Sequence, residues 1–296
     1  MNPTSTQMMR IFVAMASTVW LTACVNIQAS RPFQAGKVPP TIQLEKSLPT
    51  NVPENALAVG QTLFVLLPAD NAAGMLMPVP FVAEAVTSLV RHHSANVVET
   101  HYAGVDPFRI LADAFAGSTL LASPQADKGT PFTLRPFVFI QDCTDDQYRL
   151  ALVADLAGQG WDGRYMVHLP GPYATKDFDQ GGAAYSQRLQ SDLRSASDQL
   201  RQLIEKAMLG QLQGHIAMAK VGSLHFVGSR SSGIVPPTMV VARAAQVIEE
   251  RGDQVILRIP GDPKLSSASG GLFYGVHLLR KDQLHTFEKL ADASGG

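Results

Sequence analysis

Gln147-Tyr148-Arg149-Leu150-Ala151-Leu152-Val153-Ala154-Asp155-Leu156 is the stretch that decides the fold class. In an extended chain Tyr148, Leu150, Leu152, Ala154 and Leu156 share one face, and Arg149 and Asp155 share the other. Runs of similar character flank it, Phe132–Ile140 before and Gly163–Leu169 after. The connections Gln141–Asp146 and Gly158–Gly163 carry the Asp and Gly residues that turns require. The pattern predicts a three-stranded antiparallel meander with one apolar face to be covered.

The cover follows directly in the chain. Tyr185, Leu189, Leu193, Ala196, Leu200, Leu203, Ile204, Ala207 and Met208 recur every three or four residues, and Gly210 closes the run. This is the periodicity of an amphipathic helix with one apolar stripe. The stripe lacks sustained heptads, so a core-covering helix is expected rather than a coiled coil.

Upstream of the meander, Thr62–Leu67 reads as a buried strand, and ordered structure is expected to begin there. The apolar loop Ala69–Pro80 separates it from a helix carrying Val82, Ala85, Val86, Leu89 and Val90, with a strand at Ala95–Glu99. Asp106-Pro107 starts a second helix, with Asp as N-cap and Pro at the first position, running to about Gly117. Beyond Gly214, strands are expected at Leu224–Val227, Thr238–Glu249, Gln254–Pro260 and Leu272–Leu279, with a short terminal helix over Asp282–Leu290. The expected class is α+β: a mixed or antiparallel sheet with helices packed on one face, followed by a β-rich C-terminal region. Whether that region is a separate domain or an extension of the first sheet stays open at this level.

The first residues carry an address. Arg10 lies in a short polar segment without acids, and Ile11–Ala16 and Val19–Leu21 form a short apolar core. Small residues then precede Cys24. This is the layout of a secretory signal, and it is short of the about 20 apolar residues a membrane span needs. Leu21-Thr22-Ala23-Cys24 resembles a bacterial lipobox. The resemblance implies cleavage before Cys24, acylation of that cysteine and a lipid anchor in the bacterial envelope. Val25 in place of Asp resembles the pattern sent to the outer membrane, so a periplasm-facing outer-membrane location is expected. The expected organisation is a signal peptide over 1–23, a lipid-anchored tether over 24–57 with Pro32, Pro39, Pro40, Pro49 and Pro53, an α+β domain over 58–214, and the β-rich region over 215–296. The order of elements over about residues 60–212 weakly resembles the small α/β domains of accessory envelope lipoproteins, such as curli-assembly-type proteins and auxiliary lipoproteins of lipid-transporting ABC systems. No functional residue carries over from that resemblance.

Composition and motifs narrow the chemistry. The formal charge is −1, and no Lys/Arg run occurs, so nucleic acid is not an expected partner. Arg251-Gly252-Asp253 spells an adhesion tripeptide but sits where two strands need a turn. Cys143 is surrounded by Asp142, Asp145 and Asp146, whose charges would raise its thiol pKa rather than activate it. His92, His93, Glu99 and His101 lack metal-ligand spacing, and the other histidines (His168, His215, His225, His277 and His285) are scattered. The nucleophile elbow Gly-x-Ser-x-Gly and the phosphate loop are both missing. No catalytic, metal or cofactor-binding residue is assigned, and Cys24 is the one assigned site. The expected function is a non-enzymatic accessory, assembly or interaction factor, attached to the membrane through lipidated Cys24 and working with an envelope protein partner. A binding module for a lipid, glycan or small apolar ligand is the alternative, and a hydrolase of envelope polymers the third reading.

Overall fold

The computed structural model describes residues 31–36, 40–48, 50, 56–67, 104–121, 131–143, 147–174, 176, 181–226, 238–260 and 275–290. Within these, twelve strands form one mixed sheet, accompanied by two α-helices. The meander forms as expected: β4 (Phe132–Cys143), β5 (Gln147–Gly158) and β6 (Trp161–His168) pair antiparallel. The β5–β6 connection is tighter than the sequence suggests. Only Gln159 (φ 52°) and Gly160 (φ 75°) turn the chain, the doubly positive pattern of a two-residue hairpin. Gly163 therefore lies inside β6, where the Trp161 ring packs so close that a Cβ would sit 2.6 Å from it.

β3 (Thr62–Leu67) runs parallel to β4 and pairs with β2 (Ala56–Val59). β1 (Ile42–Leu44) adds a parallel partner at the start of β4. Ordered structure thus begins before Thr62, and residues 31–36 and 40–48, read above as tether, lie on the body. Ile42 is fully buried, and its N–H donates to Leu120 O. Three-residue β1 is too short to leave a periodic signal. The expected helix around residues 82–90, the strand at 95–99, the loop 69–80 and Cys24 lie outside the described residues.

The Asp106 side chain accepts the Arg109 N–H at 3.3 Å, so α1 (Pro107–Phe115) starts with the expected cap. α2 (Ala183–Met208) buries Leu189, Leu193, Ala196, Leu200, Leu203, Ile204, Ala207 and Met208. They share one core with Leu111 and Phe115 of α1 and with Tyr148, Leu150, Leu152, Ala154 and Leu156 of β5.

The C-terminal strands belong to the same sheet. β8 (Ala217–Phe226), β9 (Thr238–Arg251), β10 (Gln254–Ile259) and β11 (Gly275–Arg280) pair successively with antiparallel neighbours, except that β8 and β11 are not adjacent. β11 then joins β6 in parallel, with Val276 opposite Tyr165, His277 opposite Met166 and Leu278 opposite Val167. Gly252 (φ 61°) and Asp253 make the β9–β10 turn, which absorbs the Arg251-Gly252-Asp253 motif. The expected terminal helix over Asp282–Leu290 does not form. A 3-10 turn (Lys281–Gln283) leads into β12 (Thr286–Lys289), which pairs with β8. Thr286 and Phe287 favour extended backbone, and the open edge of β8 supplies hydrogen-bond partners.

The sheet also rolls. β4 and β8 are six strand steps apart, which would separate them by about 29 Å in a flat sheet. Their Cα atoms instead approach within 8 Å. A 26-residue helix cannot fit inside a seven-strand roll, so the face packed by α2 is the outer one. The inner face is buried too. Ala151, Val153 and Met166 form one apolar cluster with Phe139, while Ala219, Val221, Ala245, Val247, Val255 and Leu257 form another. The Arg149/Asp155 side of β5, polar at both ends, is thus a second core in its middle. Val153→Asp should therefore destabilise the protein by several kcal/mol, because an unpaired carboxylate would be buried. Denaturant unfolding checks it, and a change below about 0.5 kcal/mol would mean that this face is solvated.

Candidate functional site

Alternation along β6 and β11 puts His168, Met166 and His277 on the inner face. His277 is fully buried, its cross-strand neighbours being Met166 on one side and Leu257 on the other. It thus lies between the two inner apolar clusters. Two residues beyond Met166, His168 reaches back, and its Nε2 meets His277 Nδ1 at 3.0 Å. The rings stack at 26° with centroids 5.4 Å apart. One nitrogen of this contact must donate and the other accept, so the two rings cannot both be fully protonated while it holds.

The surroundings disfavour a further proton. Burial foremost, then the charges of His277 and Arg149, push the His168 pKa from 6.5 down to about 3. Arg149 is itself held by donating from Nη1 to Gln283 O. Gln283 is the hub of this end: its Nε2 donates to Leu169 O at 2.6 Å, and its Oε1 accepts the Arg280 N–H at 2.9 Å. A cavity of about 150 Å³ opens beside His168, lined also by Val167, Pro170, Gln199, Gln254 and Gln283.

A larger cleft, about 540 Å³, lies between the two helices. Its walls carry Asp106, Arg109 and Asp113 from the start and body of α1, and Gln190, Arg194 and Asp198 from α2. The lining is charged with mixed sign, which suits a polar partner rather than an apolar ligand.

A third feature is the docking of the N-terminal segment. The Phe33 ring packs edge-on against Phe132 at 5.5 Å and Trp161 at 5.1 Å. Trp161 Nε1 donates to Arg31 O at 3.0 Å, and Gln213 Nε2 donates to Phe33 O at 3.3 Å. Residues 31–36 are thereby clamped between the β5–β6 turn and the connection after α2.

Among the residues singled out from sequence, Cys24 and the His92/His93/His101 group lie outside the described residues. Cys143 ends β4 opposite Gln147, at the hairpin connection. His168 and His277, scattered in sequence, are brought together. The only sequence signal for them is a polar residue at an inward position of an apolar strand, in Met166-Val167-His168 and Val276-His277-Leu278. Arg258 is a further residue the sequence did not single out. It is 4% exposed, and its guanidinium donates to Gln246 Oε1 at 3.1 Å and to the carbonyls of Leu212 and Gln213. Burial pushes its pKa down, and burial pushes the neighbouring Tyr165 phenol up. It ties the end of the α2 connection to β10.

Neither a protein-family model nor a curated protein matches this chain.

The histidine pair has a consequence for stability. Because the folded His168 pKa lies below 6.5, the unfolded chain takes up the proton first. The contribution of neutral His168 is complete above about pH 6.5 and is lost as pH falls towards about 3, by at most about 1.4 kcal/mol per pH unit. His168→Asn should flatten that part of the stability–pH curve by up to one proton, measured by urea unfolding at stepped pH. An unchanged slope would mean that His168 titrates normally in the folded protein.

Proposed function

We propose that this chain is a lipid-anchored protein of the bacterial envelope that acts as a non-enzymatic accessory or assembly factor. In this reading acylated Cys24 holds it to the outer membrane, facing the periplasm, and a helical layer on one face of the sheet presents the charged α1–α2 cleft to a protein partner. The observation that carries the proposal is the separation of that cleft from the clamped end. Gln190, Arg194 and Asp198 lie roughly 15 to 27 Å along α2 from Met208, two residues before Gly210, against which Ala35 packs. A body attached at one end and offering a charged cleft at a distance from it suits recognition of another protein.

Two features weigh against the other readings. A proton acceptor with a pKa of about 3 is a weak base near neutral pH, so His168 suits hydrolytic chemistry poorly. For a lipid, the cavity beside it is small at about 150 Å³, since ligand pockets usually run from about 300 Å³, and the larger α1–α2 cleft is lined by charged side chains rather than apolar ones.

Two experiments test the reading. Cys24→Ser should release the protein from the membrane fraction; retention after a high-salt wash would refute the anchor. A photo-crosslinking residue at Gln190 should capture the same one or two envelope proteins in repeated in-cell experiments. Arg194→Glu should reduce that capture about tenfold while leaving the thermal midpoint within about 2 °C, as befits an exposed site. Capture that is indifferent to Arg194→Glu would remove the cleft from the proposal.

A further inference from the structure

We propose that the end of the body formed by the 31–36 clamp, the β5–β6 turn and the α2–β8 connection lies directly against the lipid surface. The inference rests on the anchor at Cys24 and adds to it an orientation and a contact surface.

Chain length limits how far the body can stand from an anchor at Cys24. Arg31 is the seventh residue after Cys24, and seven residues span at most about 25 Å even when fully extended. A tether running to residue 57 would have let the body stand far from the bilayer. The clamp removes that freedom, because Arg31 O and Phe33 are already fixed to Trp161, Phe132 and Gln213. Whatever path the intervening residues take, this end is the one kept close to the membrane.

The surface chemistry of the same end agrees. Among the described residues, Ile216 (63% exposed) and Leu209 (56% exposed) are the most exposed large apolar side chains. Both belong to the connection that holds the clamp. Leu209 precedes Gly210, beside which Ala35 packs, and Ile216 follows Gln213 by three residues. Two solvent-facing aliphatic side chains on a monomer would be unremarkable if scattered. Here both lie on the connection that holds the clamp from one side while Trp161 holds it from the other, at the end the anchor draws to the bilayer. Trp at a membrane–water boundary places its ring among headgroups and keeps its N–H satisfied, as Trp161 Nε1 is by Arg31 O. The occupant of this surface is therefore the interfacial layer of the anchoring membrane, with Leu209 and Ile216 reaching into it.

The chain supplies its own probe. Its two tryptophans are Trp20 and Trp161, and the first leaves with the signal peptide. In the mature lipoprotein Trp161 is the single indole. The test is to reconstitute the lipidated protein into phosphatidylethanolamine–phosphatidylglycerol vesicles, with and without brominated acyl chains, and to measure flotation and Trp emission. The expected result is flotation with the vesicles and a loss of at least half of the Trp161 emission in the brominated ones. Leu209→Ser with Ile216→Ser should restore emission two- to threefold without changing flotation, because both side chains are exposed and the acyl chains still hold. A Trp161→Phe, Tyr185→Trp variant, with its indole at the far end of α2, should show little quenching. If that variant does not fold, the wild-type measurement still decides. Flotation without quenching of Trp161 overturns the orientation and leaves the anchor standing. Failure to float overturns the anchor, and this inference with it.

Discussion

The parallel seam between β6 and β11 is the contact on which the architecture depends. In the hydrogen-bonded ladder everything after the α2 connection joins the first half of the sheet through it, over three register pairs only. Parallel pairing is slightly weaker per residue than antiparallel, and no hairpin can enforce it. Side chains do the fastening. His168 bonds His277 across the seam, Arg149 of β5 bonds the 3-10 turn after β11, and Gln283 of that turn bonds Leu169 at the end of β6. On the outer face Arg258 holds the carbonyls of Leu212 and Gln213, fixing where the chain leaves α2 for β8. A slip of one residue in the seam would turn His277 outward and Val276 inward, so these bonds also select the register. The histidine pair is thus structural glue before it is anything else.

How much of this was legible depended on how local the cause was. The outer face of β5 and the stripe of α2 were readable because each is a period within one segment, with a dozen or more residues voting for it. The Asp106 cap was readable because its partner is three residues away. The inner face was not. Ala151 and Val153, set between Arg149 and Asp155, look like a solvated face carrying two small apolar residues. They are buried because the sheet rolls until β8 approaches β4, a contact between segments far apart in sequence. The histidine pair fails to register for the same reason, its members being 109 residues apart. β12 was misread as helix because four residues cannot display a period, and the edge of β8 decides their conformation.

The roll also explains charges that would otherwise look misplaced. Arg164 and Asp155 face inward at one end of the inner surface, where they form a bidentate pair at 2.6 and 2.8 Å. The Arg164 guanidinium lies over the Phe137 ring at 5.3 Å, so the pair closes the apolar interior rather than interrupting it. Arg149 and the histidines occupy the other end. The inner face therefore grades from an ion pair, through Phe139, Val153 and Met166, to a polar cluster that is cationic through Arg149. Such grading lets a rolled sheet end in water at both rims without leaving the charges unpaired or the middle wet.

α2 then turns a local attachment into an orientation of the whole molecule. Near its start Asp192 accepts the Tyr173 hydroxyl at 2.6 Å, and near its end Glu205 accepts the Ser118 hydroxyl at 2.7 Å. Lys206 pairs with Glu249 of β9 at 2.9 Å. These contacts tie the helix to β7 (Tyr173–Ala174), to the α1 region and to the C-terminal strands, so it cannot swing independently of the sheet. A clamp at its C-terminal end consequently fixes the direction of the charged cleft further along it. A lipid on a free tether would hold the protein at a membrane while leaving every face equally available. If Cys24 carries a lipid, as proposed, that lipid lies seven residues from a clamped segment, which favours one presentation with the cleft on the part of α2 directed away from the bilayer.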